Sequence, residues 1–313
     1  MRPRFDADYR TLFWAFVLFP LLPALGLVFP SRVPWLLPVE LYLAYCAGVL
    51  AHNHVHVRVF SSRRANAAYA AWLSIFYGCP IAVWVPTHLE NHHRFTNRAE
   101  DVTRTDRHSV RHDAWQALYY TFACGSWQMP LIRSYVRATR ARNGRSWQEL
   151  RLQFGVLALG HALPLAFALG MHGMSRGALA YFGTFGLPAL LAPGFMLFTN
   201  YAQHVHCDPA SPDNHSRNFV GPLSNWLTFQ AGYHTVHHER PAVHWSRYPE
   251  LHAARRGADP RLNVPSLLGF CIENYLLRPL GLRAGTRPLA RPDQRSAPSG
   301  AAREIPVAAL LPD

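Results

Sequence analysis

The chain contains no lysine, so all 31 of its basic residues are arginine. By codon composition this points to a GC-rich, bacterial genome. Charge of either sign is scarce. Charged residues make up 16% of the sequence, against roughly 25% in soluble domains, while 50% is hydrophobic. That deficit argues for a membrane chain. Acids number only 18, too few to favour a metal centre built from carboxylates. The five cysteines, Cys46, Cys79, Cys124, Cys207 and Cys271, show no CxxC spacing and are expected to be packing residues in a reducing setting. No contiguous basic face with interleaved aromatics occurs, so the net charge of +13 does not predict a nucleic-acid partner. An anionic membrane leaflet accounts better for arginines that flank apolar segments.

Four uncharged or nearly uncharged segments are present, at about 11–31, 33–51 (with only Glu40), 152–170 and 177–199. Each approaches the roughly 20 residues that cross a bilayer. Their internal prolines are costly in a soluble helix and tolerable in a packed membrane bundle. The first is too long for a cleaved signal peptide and lacks an A-x-A-like exit. Only Arg32 lies between the first two segments and only Arg176 between the last two. By the positive-inside rule both termini and the middle stretch face the cytoplasm. The expectation is a multi-pass protein of a bacterial inner membrane, one domain over 1–282, followed by a disordered tail over 283–313 rich in Pro, Ala and Arg. A fifth apolar stretch, 65–87, is interrupted by Gly78, Cys79 and Pro80. It is expected to be interfacial or re-entrant and not to cross.

Histidine is abundant and clustered. Residues 52–56 read HNHVH, 88–93 HLENHH, 200–206 NYAQHVH and 234–238 HTVHH. His52 and His56, His88 and His92, and Asn200 and His204 are each four apart, and His237 and His238 follow His234 by three and four. On a helix these offsets share a face, so the imidazoles can converge. One such cluster alone reads equally well as a solvated polar turn. Nine histidines at helical spacing are too many for one zinc and suit two metals with four or five imidazoles each. Imidazole suits iron, copper and zinc alike, so ligand type does not choose the metal. A carboxylate di-iron bundle needs two Glu-x-x-His pairs, and only Glu90-x-x-His93 fits; an all-histidine centre is preferred.

These boxes, in this order and interleaved with two hydrophobic hairpins, resemble those of the membrane fatty acid desaturase and hydroxylase superfamily. HHRFTNRAED (92–101) and HHERPAVHWSRYPELH (237–252) are similar to the stretches after the second and third boxes of bacterial members. The resemblance covers about residues 10–280. It implies an all-α membrane protein in which four transmembrane helices, paired as two hairpins, carry a cytoplasmic helical cap with the histidine boxes. It also implies two non-haem iron ions and O2 as co-substrate. Carried over by position, His52, His56, His88, His92, His93, His204, His234, His237 and His238 resemble iron ligands, and Asn200 the position that reaches an iron through water. His54 and His206 fall outside the ligand positions. No haem-binding or ferredoxin-like domain is fused to the chain, so a separate ferredoxin-, rubredoxin- or cytochrome-type electron donor and its reductase are expected.

The activity implied is an O2-dependent attack on C–H bonds of a lipid or acyl chain. Fatty acyl desaturation stands ahead of lipid or alkane hydroxylation and of carotenoid ketolation or hydroxylation. The first box is one residue shorter than in many acyl-CoA desaturases, and its H-x-x-x-H spacing occurs in lipid- and carotenoid-acting relatives alike. The alternative of another class is a non-catalytic membrane metal-binding or transport protein, for which ligands near mid-membrane would be expected. Carboxylates that orient the imidazoles are sought close to the boxes, at Glu90, Glu100, Asp101, Asp208 and Glu239, because ligating histidines donate their other N–H to such groups. Trp84, Trp226, Tyr233 and Trp245 are expected to pack near the boxes or to line a lipid channel. His161 and His172 lack helix-spaced partners and are expected to be structural. Glu40, an acid in an apolar span, is a functional-site candidate on cost alone.

Overall fold

A computed structural model describes residues 2–289; the part of the expected disordered tail from 290 on lies outside the described residues. The protein is mostly helical, and its described strands are two residues each, Asn218–Phe219 and Asn263–Val264, paired in parallel. It divides into two compact units. The first comprises Met1–Trp84 and Ser134–Met196; the second comprises Val85–Arg133 and the chain from Leu197 onward.

In the first unit, helical residues Asp8–Val28 and Pro30–His56 are each long and apolar enough to cross a membrane. Prolines 23 and 38 sit inside them, as a lipid-facing bundle permits. Large apolar side chains point outward, with Trp35 79% and Leu190 73% exposed, a surface that suits lipid and not water. The third apolar run, Arg145–His204, is continuous by composition but breaks at Gly173, where φ is +73°. A Cβ on Gly177 would meet the Ala168 carbonyl. In a straight helix residues nine apart stand about 13 Å from one another, so the chain doubles back at Gly173, three residues before the Arg176 that separates the expected third and fourth segments.

The stretch 65–87 is interrupted where its sequence suggests. The helix Arg63–Tyr77 is capped at its start by Ser62, whose side chain accepts from the Ala65 N–H, and ends at Gly78 in the left-handed region, φ +76°. A Cβ there would also strike the Ala189 carbonyl. With Pro80 following, the chain bends by 95° into the helical segment Ile81–Phe95. The unit is pinned by polar contacts on backbone carbonyls. Trp72 Nε1 donates to the Ala15 carbonyl at 2.7 Å, and His161 lies 2.8 Å from the Tyr181 hydroxyl and 3.0 Å from the Ile75 carbonyl. His172 reaches the Leu27 carbonyl at 2.7 Å. His161 and His172 thus hold helices together, as expected.

The second unit is built on Tyr120, Tyr201, Val205, Phe219 and Phe270, all buried together. Around that core lie the first half of the helix Ala114–Arg142, the end of the helix Leu187–His204, and short helices Pro222–Leu227, His234–Glu239, Tyr248–Ala253 and Leu267–Cys271. Residues 283–289 have no regular structure but are held by bonds from Leu289 N–H to the His206 carbonyl and from Thr286 N–H to Asn274. All five cysteines are free, three of them buried.

Candidate metal centre

Four histidines from three helical segments meet in the second unit. Val85–His92 winds as a π-helix, a form common at functional sites, and delivers His92. The helix Leu187–His204 ends on His204, and His234–Glu239 supplies His234 and His238. Their ligand-capable nitrogens all lie within 4.8 Å of one another, and all four side chains are buried. The Nε2 atoms form a row: His92 to His238 at 3.2 Å, His238 to His234 at 3.1 Å, and His234 to His204 at 2.9 Å.

Such a row is not a satisfied hydrogen-bond network. Each Nε2 carries one in-plane site, either a proton or a lone pair. It therefore serves one linear bond, and at most two of three successive contacts can be hydrogen bonds. The outer faces of two rings strengthen this. His92 Nδ1 lies 2.8 Å from Asp101 Oδ2, and His204 Nδ1 lies 3.0 Å from the His215 carbonyl. Both partners only accept, so in the neutral rings the proton sits on Nδ1 and the lone pair of Nε2 faces inward. Burial, then the neighbouring histidines, holds the His238 pKa well below the ordinary value, which keeps that ring neutral. Inward lone pairs on buried neutral imidazoles are the donor set a metal ion takes.

Asp101 is itself constrained. It is 1% exposed and accepts from the backbone N–H of Asn97 at 2.7 Å, that of Thr103 at 2.8 Å and the Thr103 hydroxyl at 2.7 Å. Burial alone would raise its pKa, but His92, Thr103 and Asn97 outweigh it and hold the carboxyl below its usual value. Thr96 and Asn97 take positive φ, 40° and 62°, which turns the chain back so that residue 101 can reach residue 92. Asn91 ties the same loop down, donating to the Glu100 carbonyl and accepting from Val102 N–H.

A second group lies in the same unit. His93 Nε2 is 3.1 Å from His88 Nε2 and 2.9 Å from His237 Nε2, so again one nitrogen faces two others. His237 Nδ1 is 3.2 Å from the Tyr248 hydroxyl. A cavity of about 480 Å³ opens beside the two groups, with His93, His238, His215, Arg94 and Arg98 in its wall. In the first unit, His52 and His56 stack edge-on at 4.9 Å, and Trp84 packs on His52 at 5.4 Å.

The other expected positions divide. Asn200 stands one turn before His204, and its amide nitrogen donates to the Tyr120 hydroxyl at 2.8 Å, which in turn donates to the Thr103 carbonyl at 2.6 Å. Of the carboxylates, Asp101 touches a histidine of the tetrad. Glu90 and Glu100 are exposed, Glu239 pairs with Arg255 at 3.0 Å, and Asp208 caps a turn by accepting from Ala210 N–H. His54 is buried against Tyr69, and His206 is buried with Thr286 near its Nδ1; neither belongs to a metal-capable group among the described residues. Trp245 packs on Phe229, Tyr233 on His252, and Trp226 is exposed. Sequence spacing gave no signal for Tyr120, Thr103, Tyr248 or His215, because each is brought in by tertiary packing.

A model of the fatty acid desaturase family matches residues 30–267, a range that contains all nine histidines. The chain belongs to the fatty acid desaturase family. Within this desaturase-family chain a 34-residue stretch is 56% identical to sphingolipid delta(4)-desaturase DES1 of Drosophila melanogaster, covering 11% of the chain and 10% of that protein. The chain thus matches about a tenth of that relative's length. No solved structure matches.

Proposed function

We propose that the protein is a membrane-bound, O2-dependent oxidoreductase with two non-haem irons that acts on C–H bonds of a lipid chain, and that its reaction is fatty acyl desaturation. The observation that carries this reading is the row of four buried Nε2 atoms, whose contacts hydrogen bonding alone cannot satisfy. His92, His204, His234 and His238 would hold one iron. His88, His93 and His237 would hold the other, with His52 and His56 assigned to it on sequence spacing. Asn200 would reach an iron through water. The reading also takes residues 1–282 as one membrane domain with four spans, the doubling back at Gly173 supporting the count, and the boxes on the cytoplasmic side.

The irons, when bound, would supply the reactivity toward O2 and an unactivated methylene that no protein acid or base possesses. In balance, two hydrogens leave adjacent carbons, two electrons come from a separate carrier protein and its reductase, two protons are taken up, and O2 becomes two waters. The chain's own residues do the rest. Asp101 and the His215 carbonyl fix the tautomers of His92 and His204 and so aim their lone pairs. Burial of the tetrad excludes water from the reacting carbon. The net positive charge of the chain suits an anionic leaflet.

Lipid profiling of a bacterial host expressing the chain tests this, since an alkene, an alcohol and a ketone each leave a different mass change. New double bonds are expected, together with iron- and reductant-dependent O2 uptake by the purified protein. Alcohols or ketones would move the reaction to hydroxylation or ketolation. An iron-loaded protein that never consumes O2 with a competent donor would mark a metal-binding protein without catalysis.

A further inference from the structure

Glu40 lies in the apolar helix Val33–His56, is 3% exposed, and its Oε1 makes no hydrogen bond among the described residues. It lines a cavity of about 20 Å³ inside the first unit, walled by Phe19, Leu43, Phe76 and Phe185. The phenylalanines interlock, with ring centroids 5.4 Å apart for Phe19 and Phe76 and 5.8 Å for Phe76 and Phe185. Thr184 is the one other polar side chain in the wall, and no second titratable group lines it from any of the helices that meet there.

An ionised carboxylate with no cation in such a place is prohibitively costly, whereas the neutral acid is not, provided its free oxygen finds a partner. The wall offers more acceptors than Thr184 alone. Thr184 spends its proton on the Ala180 carbonyl at 2.6 Å, leaving the hydroxyl oxygen able to accept. Pro23 and Pro188 line the same space and have no N–H to give to the carbonyls four residues earlier, those of Phe19 and Thr184. A buried water needs roughly 10–15 Å³ of such space and 2–4 polar partners. One water fits that volume.

We propose that Glu40 and this cavity form a proton-and-water site: the glutamic acid is uncharged and hydrogen-bonds a single trapped water, which donates in turn to Thr184 and a proline-freed carbonyl. The site is independent of the metal reading and of the histidine groups.

The test is infrared difference spectroscopy of the full-length protein in phospholipid nanodiscs at neutral pH, wild type against Glu40→Gln. Expected is a protonated-carboxyl stretch that moves in heavy water and is missing from the Gln variant, plus a water stretch that shifts with oxygen-18 water. Ala44→Leu, which pushes a side chain into the cavity wall, should abolish the water band and move the carboxyl band. Glu40→Gln, the neutral isostere, should melt within about 3 °C of wild type. Carboxylate bands from Glu40, no oxygen-18-sensitive water, or a carboxyl band indifferent to Ala44→Leu would each overturn the proposal. If the Gln variant does not fold, Glu40→Asp displaces the same band and gives the same reading.

Discussion

The two histidine groups of the second unit are made from similar parts and backed differently. His92, in the tetrad, rests on a buried carboxylate that is itself held by two backbone N–H groups and a hydroxyl, and His204 rests on a backbone carbonyl. In the trio, His237 rests on the neutral hydroxyl of Tyr248. A charge-assisted hydrogen bond to a fixed carboxylate raises ligand basicity and locks the ring more firmly than a phenol does. The difference teaches that two groups built from one residue type need not be held equally. On the proposed metal reading, the tetrad would hold its ion through the carboxylate-backed His92 more firmly than the trio would through the phenol-backed His237.

The largest effect is expected from His238→Ala. His238 is one of the two inner members of the row, in contact with both His92 and His234, and the substitution should lower turnover by at least about 100-fold and remove one metal per folded chain. Elemental analysis alongside activity checks it; retention of two metals would take His238 out of the ligand set. Asp101→Asn comes next. An amide can present N–H where His92 needs an acceptor, so metal affinity at the tetrad should fall about 10–100-fold while the trio keeps its metal. Chelator competition, followed metal by metal, would show it. Tyr248→Phe should weaken the trio by less than about 10-fold and leave the tetrad untouched. Equal losses from Asp101→Asn and Tyr248→Phe would break the comparison.

Much of this was legible in the sequence, and the physical reason is locality. The i, i+3 and i, i+4 offsets of the boxes are fixed by one turn of helix, so the convergence of His234 and His238 needed only the chain's own geometry. The pairing of His88 with His92 expected from the same spacing does not hold: Val85–His92 winds as a π-helix, His88 Nε2 meets that of His93, five positions on, and His92 joins the tetrad. The break at Gly78–Pro80 was legible for the same reason, since Gly takes the positive φ there and Pro stops the helix. The supports were not. Asp101 and Glu90 stand equally well near a box on paper, and the reversal through Thr96 and Asn97 is what brings Asp101 back to His92 and buries it, whereas Glu90 is exposed. Tyr248 and His215 act across long loops that carry no periodic signal.

Two smaller effects sharpen the contrast. Asn200→Ala should lower turnover several-fold and retain most of the metal. Asn200 and Tyr120 share one hydrogen-bond path to the Thr103 turn, so the double variant with Tyr120→Phe should cost less than the sum of the singles. Additive losses would separate Asn200 from that path. The smallest effect on metal, and a control outside both groups, is His112. Burial first, then His206, Arg217 and Arg278, lowers its pKa to about 3, against about 6.5 in the unfolded chain. The folded state therefore refuses a proton the unfolded state accepts, and its stability, complete above about pH 6.5, erodes as the pH falls toward 3. His112→Asn should flatten that part of the stability–pH curve without changing metal content; an unaltered slope would mean the ring is not the group that titrates.

The tetrad also sets a clock on the making of the protein. His92 and His238 stand 146 positions apart in the chain, and at about 5–20 residues per second the ribosome needs roughly 7–30 s to go from one to the other. Throughout that interval His92 and Asp101 exist without the helix His234–Glu239 that completes their group. A metal ion bound as proposed would consequently load late in biosynthesis, after about three-quarters of the 313 residues have been translated, and any ion delivered earlier would meet only a fragment of its site.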